Sequence, residues 1–136
     1  MLGGGSWGTV LAHLASLNGN EVTLWMRDED LANQINTEKI NGNYLPGLSL
    51  KDNLVATSAI QKISNSNSTI YCIPSDAFRE VATSAEPYIS VETNLVSATK
   101  GVESSGFNLM SKILSEIHPE NPICLLYTSP SPRDRQ

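Results

Sequence analysis

The chain has 136 residues, a length that fits one domain with a buried core. It is 40% hydrophobic and 17% charged, and no apolar run approaches the roughly 20 residues of a membrane-spanning helix, so the composition argues against disorder, a coiled coil and a membrane span. A formal net charge of −5 argues against non-specific nucleic-acid binding, which needs a basic surface, so local groups must hold any phosphate ligand.

The first predicted element is a glycine-rich turn in MLGGGSWGTVL. Gly3, Gly5 and Gly8 match the pattern G-x-G-x-x-G. In that pattern the first glycine allows a tight bend, the second lets the backbone approach a pyrophosphate, and the third lets a helix pack closely on a strand. Amides at the helix start then meet the phosphates. The pattern alone also fits a flexible turn, but the helix predicted by TVLAHLASLNGN and the strand predicted by EVTLWMR favour dinucleotide binding.

Arg27 ends the strand EVTLWMR, about 20 residues after the glycines, where a dinucleotide-binding unit reads the ribose. An acidic residue there would hydrogen-bond the ribose hydroxyls, whereas an arginine can pair with a 2′-phosphate or stack on adenine. Arg27 therefore favours NADP, or use of both NADP and NAD. Alternatively it is a solvated charge, and Asp28 and Glu29 either restore a preference for NAD or cap the next helix.

The remaining elements continue to alternate between helices and strands. The segment RDEDLANQINTEKI predicts a helix, NGNYLPGLSLKDN an exposed connection, LVATS a strand and AIQKISNSNS a weak helix. Next, TIYCIP predicts a buried strand, SDAFREVATSAEPYI a helix capped by Ser75 or Asp76, NLVSATKG a strand and FNLMSKILSEI a helix. This alternation predicts an α/β fold with parallel βαβ units in a doubly wound, mostly parallel sheet.

Five stretches together carry a resemblance to one family. In order, GGGSWGT, EVTLWMRD, NYLPG, IPS and SATKGVE resemble NAD(P)-dependent glycerol-3-phosphate dehydrogenase, over residues 2 to about 123. The resemblance implies a Rossmann-type cofactor domain in which Ser6 and Trp7 line the pyrophosphate turn and Arg27 faces the adenosine end of NADP or NAD. It also implies that Lys100, in the TKG motif, lies beside the nicotinamide and reaches the substrate.

Lys100 has a modest physical argument of its own. It follows the strand predicted by NLVSAT, and ligands of open α/β sheets bind beyond the carboxyl ends of strands, where a lysine attracts a phosphate group. The alternative is a solvated loop lysine. Tyr44 of NYLPG either approaches the cofactor or packs against the protein, whereas Cys72, in an apolar strand, is expected to be a small core residue and not a nucleophile.

The reaction implied by the resemblance is hydride transfer between NAD(P)H and dihydroxyacetone phosphate, giving sn-glycerol 3-phosphate for glycerophospholipid synthesis. The family's proton donor is a lysine on a following helical domain, so we expect no catalytic residue and no metal site in this chain, which should be inactive alone. We expect a homodimer for the full-length enzyme. A cytoplasmic location is expected because Cys72 and Cys124 form no disulfide framework and no signal-peptide pattern is present.

The chain is expected to be a fragment, with a partial Rossmann domain at residues 1–123 and no C-terminal helical substrate domain. The first strand should run for about five residues before Gly3, yet only Met1 and Leu2 precede it. The family pattern also stops just after the expected start of the sixth strand. Residues 124–136 are expected to be a non-native tail, because one frame of a common transposase library adapter translates to residues 124–134. The alternative is a natural Ser/Pro-rich tail.

Two other functions stay open at the level of the sequence. One is another Rossmann dehydrogenase with a helical second domain, of the ketopantoate or 6-phosphogluconate type, against which the stretches NYLPG and SATKG argue. The other is a nucleotide-binding module that does not catalyse a reaction.

Overall fold

The computed structural model describes residues 1–126, in which helices and strands alternate. The helices are α1 (Ser6–Leu17), α2 (Glu29–Glu38), α3 (Ser75–Ala85) and α4 (Met110–Ile117), with short 3₁₀ helices at Ile60–Ile63 and Glu86–Tyr88. The strands are β1 (Val22–Trp25), β2 (Ile40–Asn41), β3 (Leu45–Ser49), β4 (Leu54–Thr57), β5 (Ser68–Tyr71), β6 (Asn94–Ser97) and β7 (Ile123–Leu125). None of the helices in this range is long and apolar enough to cross a membrane. Of the expected tail, residues 124 and 125 belong to β7, and residues 127–136 lie outside the described residues.

The main sheet is parallel and is joined in its middle by Leu2. Strand β1 pairs with β4, and β5 pairs with β6, which in turn pairs with β7. Leu2 lies between the two groups, with parallel bridges to Trp25 of β1 and Tyr71 of β5. If the Leu2 segment is counted as the first strand, the strand order is 3-2-1-4-5-6, that of the Rossmann fold. The predicted doubly wound, mostly parallel α/β fold is confirmed.

The segment Met1–Gly3 hydrogen-bonds to both of its neighbours in the sheet. On the β1 side, the Met1 amine donates to Thr23 O at 2.8 Å, Trp25 N donates to Met1 O at 2.8 Å, and Gly3 N donates to Trp25 O at 2.9 Å. On the β5 side, Leu2 N donates to Ile70 O and Cys72 N donates to Leu2 O, both at 2.8 Å. Three residues therefore connect the two halves of the sheet immediately before the glycine turn.

Two apolar cores cover the sheet. The first contains residues of α1, α2 and the strands beside them: Ala12, Leu24, Met26, Leu31, Ala32, Ile35, Leu50, Leu54 and Ala56. The second contains residues of α3, α4, β5 and β6, together with the Leu2 segment, the end of β1 and the first 3₁₀ helix: Leu2, Trp25, Ile63, Tyr71, Ile73, Phe78, Val81, Ala82, Ala85, Leu95, Met110, Ile113 and Leu114. Burial of these apolar side chains supplies the main favourable free energy of folding.

Helix α2 begins at a side-chain cap directly after Arg27. The carboxylate of Asp28 accepts a hydrogen bond from Leu31 N at 2.9 Å. Glu29 and Asp30 occupy the first turn, where negative charge interacts favourably with the positive end of the helix dipole. Asp28 therefore caps the helix, as one of the alternatives for this residue anticipated.

The connection after α2 is more regular than the sequence predicted. Strands β2 and β3 pair antiparallel, with Ile40 opposite Ser49 and Asn41 opposite Leu45. Tyr44 N donates to Asn41 O at 3.3 Å across the turn. Within NGNYLPG, which indicated an exposed connection, Gly42, Asn43 and Tyr44 form the tip of a hairpin, whereas Asn41 and Gly47 belong to its two strands.

Helix α3 does not have the predicted cap. Its N-cap is Pro74, which has no side-chain hydrogen bond to the helix, and Ser75 and Asp76 lie inside the first turn. The Asp76 carboxylate instead accepts a hydrogen bond from Ser104 Oγ at 2.6 Å. The prediction was wrong because Asp76 binds a loop that is distant in sequence.

Candidate functional site

A groove lies at the carboxyl ends of the Leu2 segment, β1, β5 and β6. Its larger part has a volume of about 570 Å³ and is lined by residues that directly follow the Leu2 segment, β1 and β5. These include six of the residues predicted from the sequence: Gly3, Gly5, Ser6, Trp7, Gly8 and Arg27. A neighbouring cavity of about 400 Å³ is lined by Lys100 and shares Trp7, Cys72, Ile73 and Pro74 with the larger one. All seven predicted site residues therefore lie along one groove.

Two of the three motif glycines are required by close backbone approach. Gly3 has φ +116°, and a Cβ built on it would overlap Cys72 O of the chain leaving β5. A Cβ on Gly8 would overlap Gly3 O, because α1 starts directly against the turn. These contacts match the tight bend and the close packing of helix on strand that the motif predicts.

Gly5 differs from the other two glycines. It has φ −73°, and a Cβ on it would meet no atom within 4 Å. Nothing in the described protein thus requires a glycine there, and the space that a side chain would fill belongs to the groove. This is the arrangement expected where a ligand comes close to the backbone.

The start of α1 is suited to an anion. Gly5 is the N-cap, no side chain caps the helix, and its first turn contains no acidic residue. The first amides of a helix have no partner within it, and the helix dipole adds positive potential at the same point. Ser6 and Trp7, on this turn, line the groove. The residues therefore fit a pyrophosphate group.

Asn41 supports the turn from behind and was missed in the sequence. Its side chain is fully buried, and Nδ2 donates to Gly4 O at 3.0 Å and to Thr9 Oγ1 at 2.9 Å. Thr9 Oγ1 in turn donates to Gly4 O at 3.3 Å. No local pattern could have identified Asn41, because it lies 37 positions after the backbone group that it binds and within a stretch that indicated an exposed loop.

One end of the groove is lined by Arg27 and the tip of the β2–β3 hairpin. Arg27 lies 3.4 Å from Glu80 of α3, and both side chains are largely exposed. Asn43 and Tyr44 line the same cavity, and the Tyr44 side chain is half-exposed. The alternative that Tyr44 approaches the groove thus agrees with its position. An exposed ion pair of this kind is weak, so Arg27 can readily exchange Glu80 for a ligand phosphate.

Lys100 lines the other end and is exposed. Thr99, just before it, connects the ends of β5 and β6: Thr99 Oγ1 donates to Ile73 O at 2.8 Å, and Ile73 N donates to Thr99 Oγ1 at 3.3 Å. Gly101, just after it, has φ +112°. Lys100 therefore lies between Thr99, which is hydrogen-bonded to Ile73, and Gly101, whose positive φ favours glycine.

Cys72 is not the core residue that the sequence predicted. It is half-buried and lines both cavities, because the chain leaving β5 turns along the glycine turn at this point. Burial raises the pKa of its thiol to about 11. The thiol is protonated at neutral pH, which agrees with the expectation that Cys72 is not a nucleophile.

Comparison with known proteins supports the resemblance. The family model described as NAD-dependent glycerol-3-phosphate dehydrogenase N-terminus matches residues 1–131. A glycerol-3-phosphate dehydrogenase (NAD(P)+) from Saccharophagus degradans is 44% identical over 117 residues, which are 85% of this chain and 33% of that protein. One from Acinetobacter baylyi is 41% identical over 127 residues, covering 93% of this chain and 35% of that protein. The chain thus spans about a third of the length of these two relatives.

A solved structure gives the same result. The crystal structure of glycerol-3-phosphate dehydrogenase from Coxiella burnetii superposes with a TM-score of 0.85 at 29% identity, covering 91% of this chain and 38% of that chain. The Rossmann sheet, the glycine turn and the family match over residues 1–131 agree, and the chain belongs to the family of the NAD-dependent glycerol-3-phosphate dehydrogenase N-terminus.

Proposed function

We propose that the chain is the cofactor-binding part of an NAD(P)-dependent glycerol-3-phosphate dehydrogenase. The whole enzyme transfers a hydride between NAD(P)H and dihydroxyacetone phosphate and forms sn-glycerol 3-phosphate. The observation that carries the proposal is the groove at the strand ends, which has an uncapped helix start and the open Gly5 position at the glycine turn. In this proposal the proton donor and most of the substrate site lie outside this chain, which covers 33% of the length of the relative from Saccharophagus degradans.

In this proposal each residue along the groove binds the part of the cofactor or substrate that lies next to it. The first amides of α1, at Ser6 and Trp7, bind the pyrophosphate, and Arg27 binds the adenosine end. Lys100 lies beside the nicotinamide and attracts the substrate phosphate as a point charge. The bound nicotinamide supplies the hydride. The protein supplies binding and orientation, which bring the reacting atoms together.

We propose that both NADP and NAD are bound, with Arg27 favouring NADP. The Asp28 carboxylate is engaged in the cap of α2, whereas the partner of Arg27, Glu80, is an exposed residue at 3.4 Å. A 2′-phosphate can replace Glu80 as the partner of Arg27, because charged hydrogen bonds from a guanidinium to a phosphate are strong. Asp28 and Glu29 still add negative charge nearby, which limits the preference.

The binding proposal is tested by titrating NADH and NADPH into the folded chain while following tryptophan fluorescence. Both tryptophans line the larger cavity, but Trp7 is 45% exposed, whereas Trp25 is buried. We expect saturable quenching that Trp7→Phe reduces to the contribution of Trp25, while calorimetry still detects binding to that variant. A folded sample without saturable binding of either nucleotide would contradict the proposal.

Cofactor preference is tested by Arg27→Gln. The substitution should weaken NADPH binding about tenfold and NADH binding less than about twofold, because only NADPH carries the 2′-phosphate. Lys62→Gln, which makes the same charge change outside the groove, is the control and should alter neither affinity. Equal losses for the two nucleotides in Arg27→Gln would remove the argument for an NADP preference.

The wider role is proposed on the family match and the composition. We propose a cytoplasmic enzyme of glycerophospholipid synthesis that acts as a homodimer in its full-length form. The test uses the product of the uninterrupted reading frame and compares NADPH oxidation by dihydroxyacetone phosphate and by ketopantoate with NADP+ reduction by 6-phosphogluconate. Turnover of dihydroxyacetone phosphate alone supports the proposal, and nucleotide binding without turnover would indicate a non-catalytic module instead.

A further inference from the structure

The loop that carries Lys100 is closed on itself by Glu103. Glu103 N donates to Asn108 O at 2.9 Å, and Phe107 N donates to Glu103 O at 2.8 Å. The side chains of the same two residues, Glu103 and Asn108, are also hydrogen-bonded, since Asn108 Nδ2 donates to Glu103 Oε2 at 2.6 Å. Glu103 follows Lys100 by three positions, so the residue that closes the loop is near the lysine in sequence.

The same carboxylate ties the loop to α3. Arg79 Nε donates to Glu103 Oε1 at 2.5 Å, and Arg79 Nη2 donates to Glu103 Oε2 at 3.1 Å. Such a two-bond contact between guanidinium and carboxylate restrains orientation as well as distance. The Glu103 side chain is only 13% exposed, and its hydrogen bonds from Arg79 lower the Glu103 pKa to about 2, so the carboxylate is charged at neutral pH.

Two further contacts bind this loop to the start of α3. Ser104 Oγ donates to Asp76 Oδ1 at 2.6 Å. Gly101 lies so close to the helix that an added Cβ would be 3.2 Å from Ser75 Oγ. Because Thr99 is tied to Ile73 on the other side, Lys100 is attached to a strand end and to a loop that are both fixed.

We propose that Glu103 is a positioning residue that holds Lys100 at its end of the groove by clamping the Lys100 loop to Arg79 on α3. The proposal rests on the proposed function, in which Lys100 lies beside the nicotinamide. Glu103→Gln has nearly the same shape but lacks the charge of the carboxylate. The loop then has to be ordered when a ligand binds, and that ordering lowers affinity only for ligands that reach Lys100.

The experiment compares NADH with ADP, since ADP fills only the adenosine and pyrophosphate end. In Glu103→Gln we expect the dissociation constant of NADH to rise about fivefold and that of ADP to stay within about twofold. Glu116→Gln is the matched control: Glu116 also accepts a hydrogen bond from Arg79, at 2.9 Å, but it lies on α4 and not on the loop. It should change neither affinity.

A double-mutant cycle with Lys100→Ala tests whether Glu103 acts through Lys100. The single variant Lys100→Ala should weaken NADH selectively, and Lys100→Ala/Glu103→Gln should lose no more than Lys100→Ala alone. Equal losses of NADH and ADP, additive losses, or unchanged NADH binding in Glu103→Gln would overturn the positioning role and leave the proposed function standing. Unchanged NADH binding in Lys100→Ala would overturn both the positioning role and the proposed place of Lys100 beside the nicotinamide. Failure of the unsubstituted chain to bind either nucleotide would overturn both.

Discussion

At the scale of single residues, the three glycines of the motif have different roles, although the sequence pattern does not distinguish them. Gly3 and Gly8 are required by neighbouring backbone atoms of the protein itself, and Gly5 is not. Gly3 and Gly8 are therefore needed for folding, whereas we expect Gly5 to be needed for ligand binding. Substitution of Gly8 should impair the fold, and substitution of Gly5 should impair binding in a protein that still folds.

We predict opposite outcomes for alanine at Gly8 and at Gly5. Gly8→Ala should lower the free energy of unfolding by about 2 kcal/mol or more, because its Cβ would overlap Gly3 O. Gly5→Ala should cost less than about 1 kcal/mol, since φ −73° suits alanine and only the N-cap preference is lost. It should nevertheless weaken NADH binding about tenfold. Urea denaturation and nucleotide titration of both variants check this, and the same stability loss in both would contradict it.

At the scale of elements, the β2–β3 hairpin supports the glycine turn through hydrogen bonds. Asn41, at the end of β2, supplies hydrogen bonds to Gly4 O and Thr9 Oγ1. The hairpin tip also brings Asn43 and Tyr44 to the groove. One short element thus supports the turn from behind and lines the groove beside it.

Asn41→Ala should therefore affect both stability and binding. Loss of two buried hydrogen bonds should lower the free energy of unfolding by about 1–3 kcal/mol, and the loosened turn should bind NADH more weakly. Asn36→Ala is the control, because Asn36 makes two hydrogen bonds of 2.8 Å to the backbone of Ala56, away from the turn. It should cost comparable stability and leave NADH affinity unchanged. Weakened binding in Asn36→Ala would show that stability loss alone explains the effect of Asn41→Ala.

The sequence was a good guide to this site where the signal was local. Gly3, Arg27 and Lys100 follow strand ends, Gly8 lies in the first turn of α1, and all four were predicted from a motif or from strand order. Asn41 could not be found, because its buried role depends on a pairing across the fold. The prediction of the α3 cap was wrong for the same reason, since the Asp76 side chain accepts a hydrogen bond from Ser104 in a later loop.

At the scale of the whole molecule, the sheet separates two apolar cores, and the larger one contains a titratable pair. His118, at the end of α4, is 4% exposed, and its Nε2 lies 3.5 Å from Tyr71 Oη in the middle of the sheet. Burial lowers the pKa of His118 below its ordinary value of 6.5. The folded chain therefore favours the neutral imidazole.

The stability of the chain should depend on pH through His118. The unfolded chain takes up the proton near pH 6.5, before the folded one does, so the stabilisation by neutral His118 is present above that pH and is lost as the pH falls below it. Urea midpoints measured from about pH 8 to about pH 5 should decline. His118→Gln should show a flatter profile over the same range. Parallel profiles for the two proteins would exclude His118 as the cause.

The segment Met1–Gly3 has a consequence for how the molecule melts. It is the hydrogen-bonded connection between the two halves of the sheet, and it leads directly into the turn that is proposed to bind phosphate. A ligand that stabilises the folded turn therefore also favours the joined state of the halves. Calorimetry should detect this as cooperativity: the ratio of van't Hoff to calorimetric enthalpy should rise towards unity as NADH is added. An unchanged ratio at saturating NADH would show that the halves already unfold as one unit or remain uncoupled from the turn.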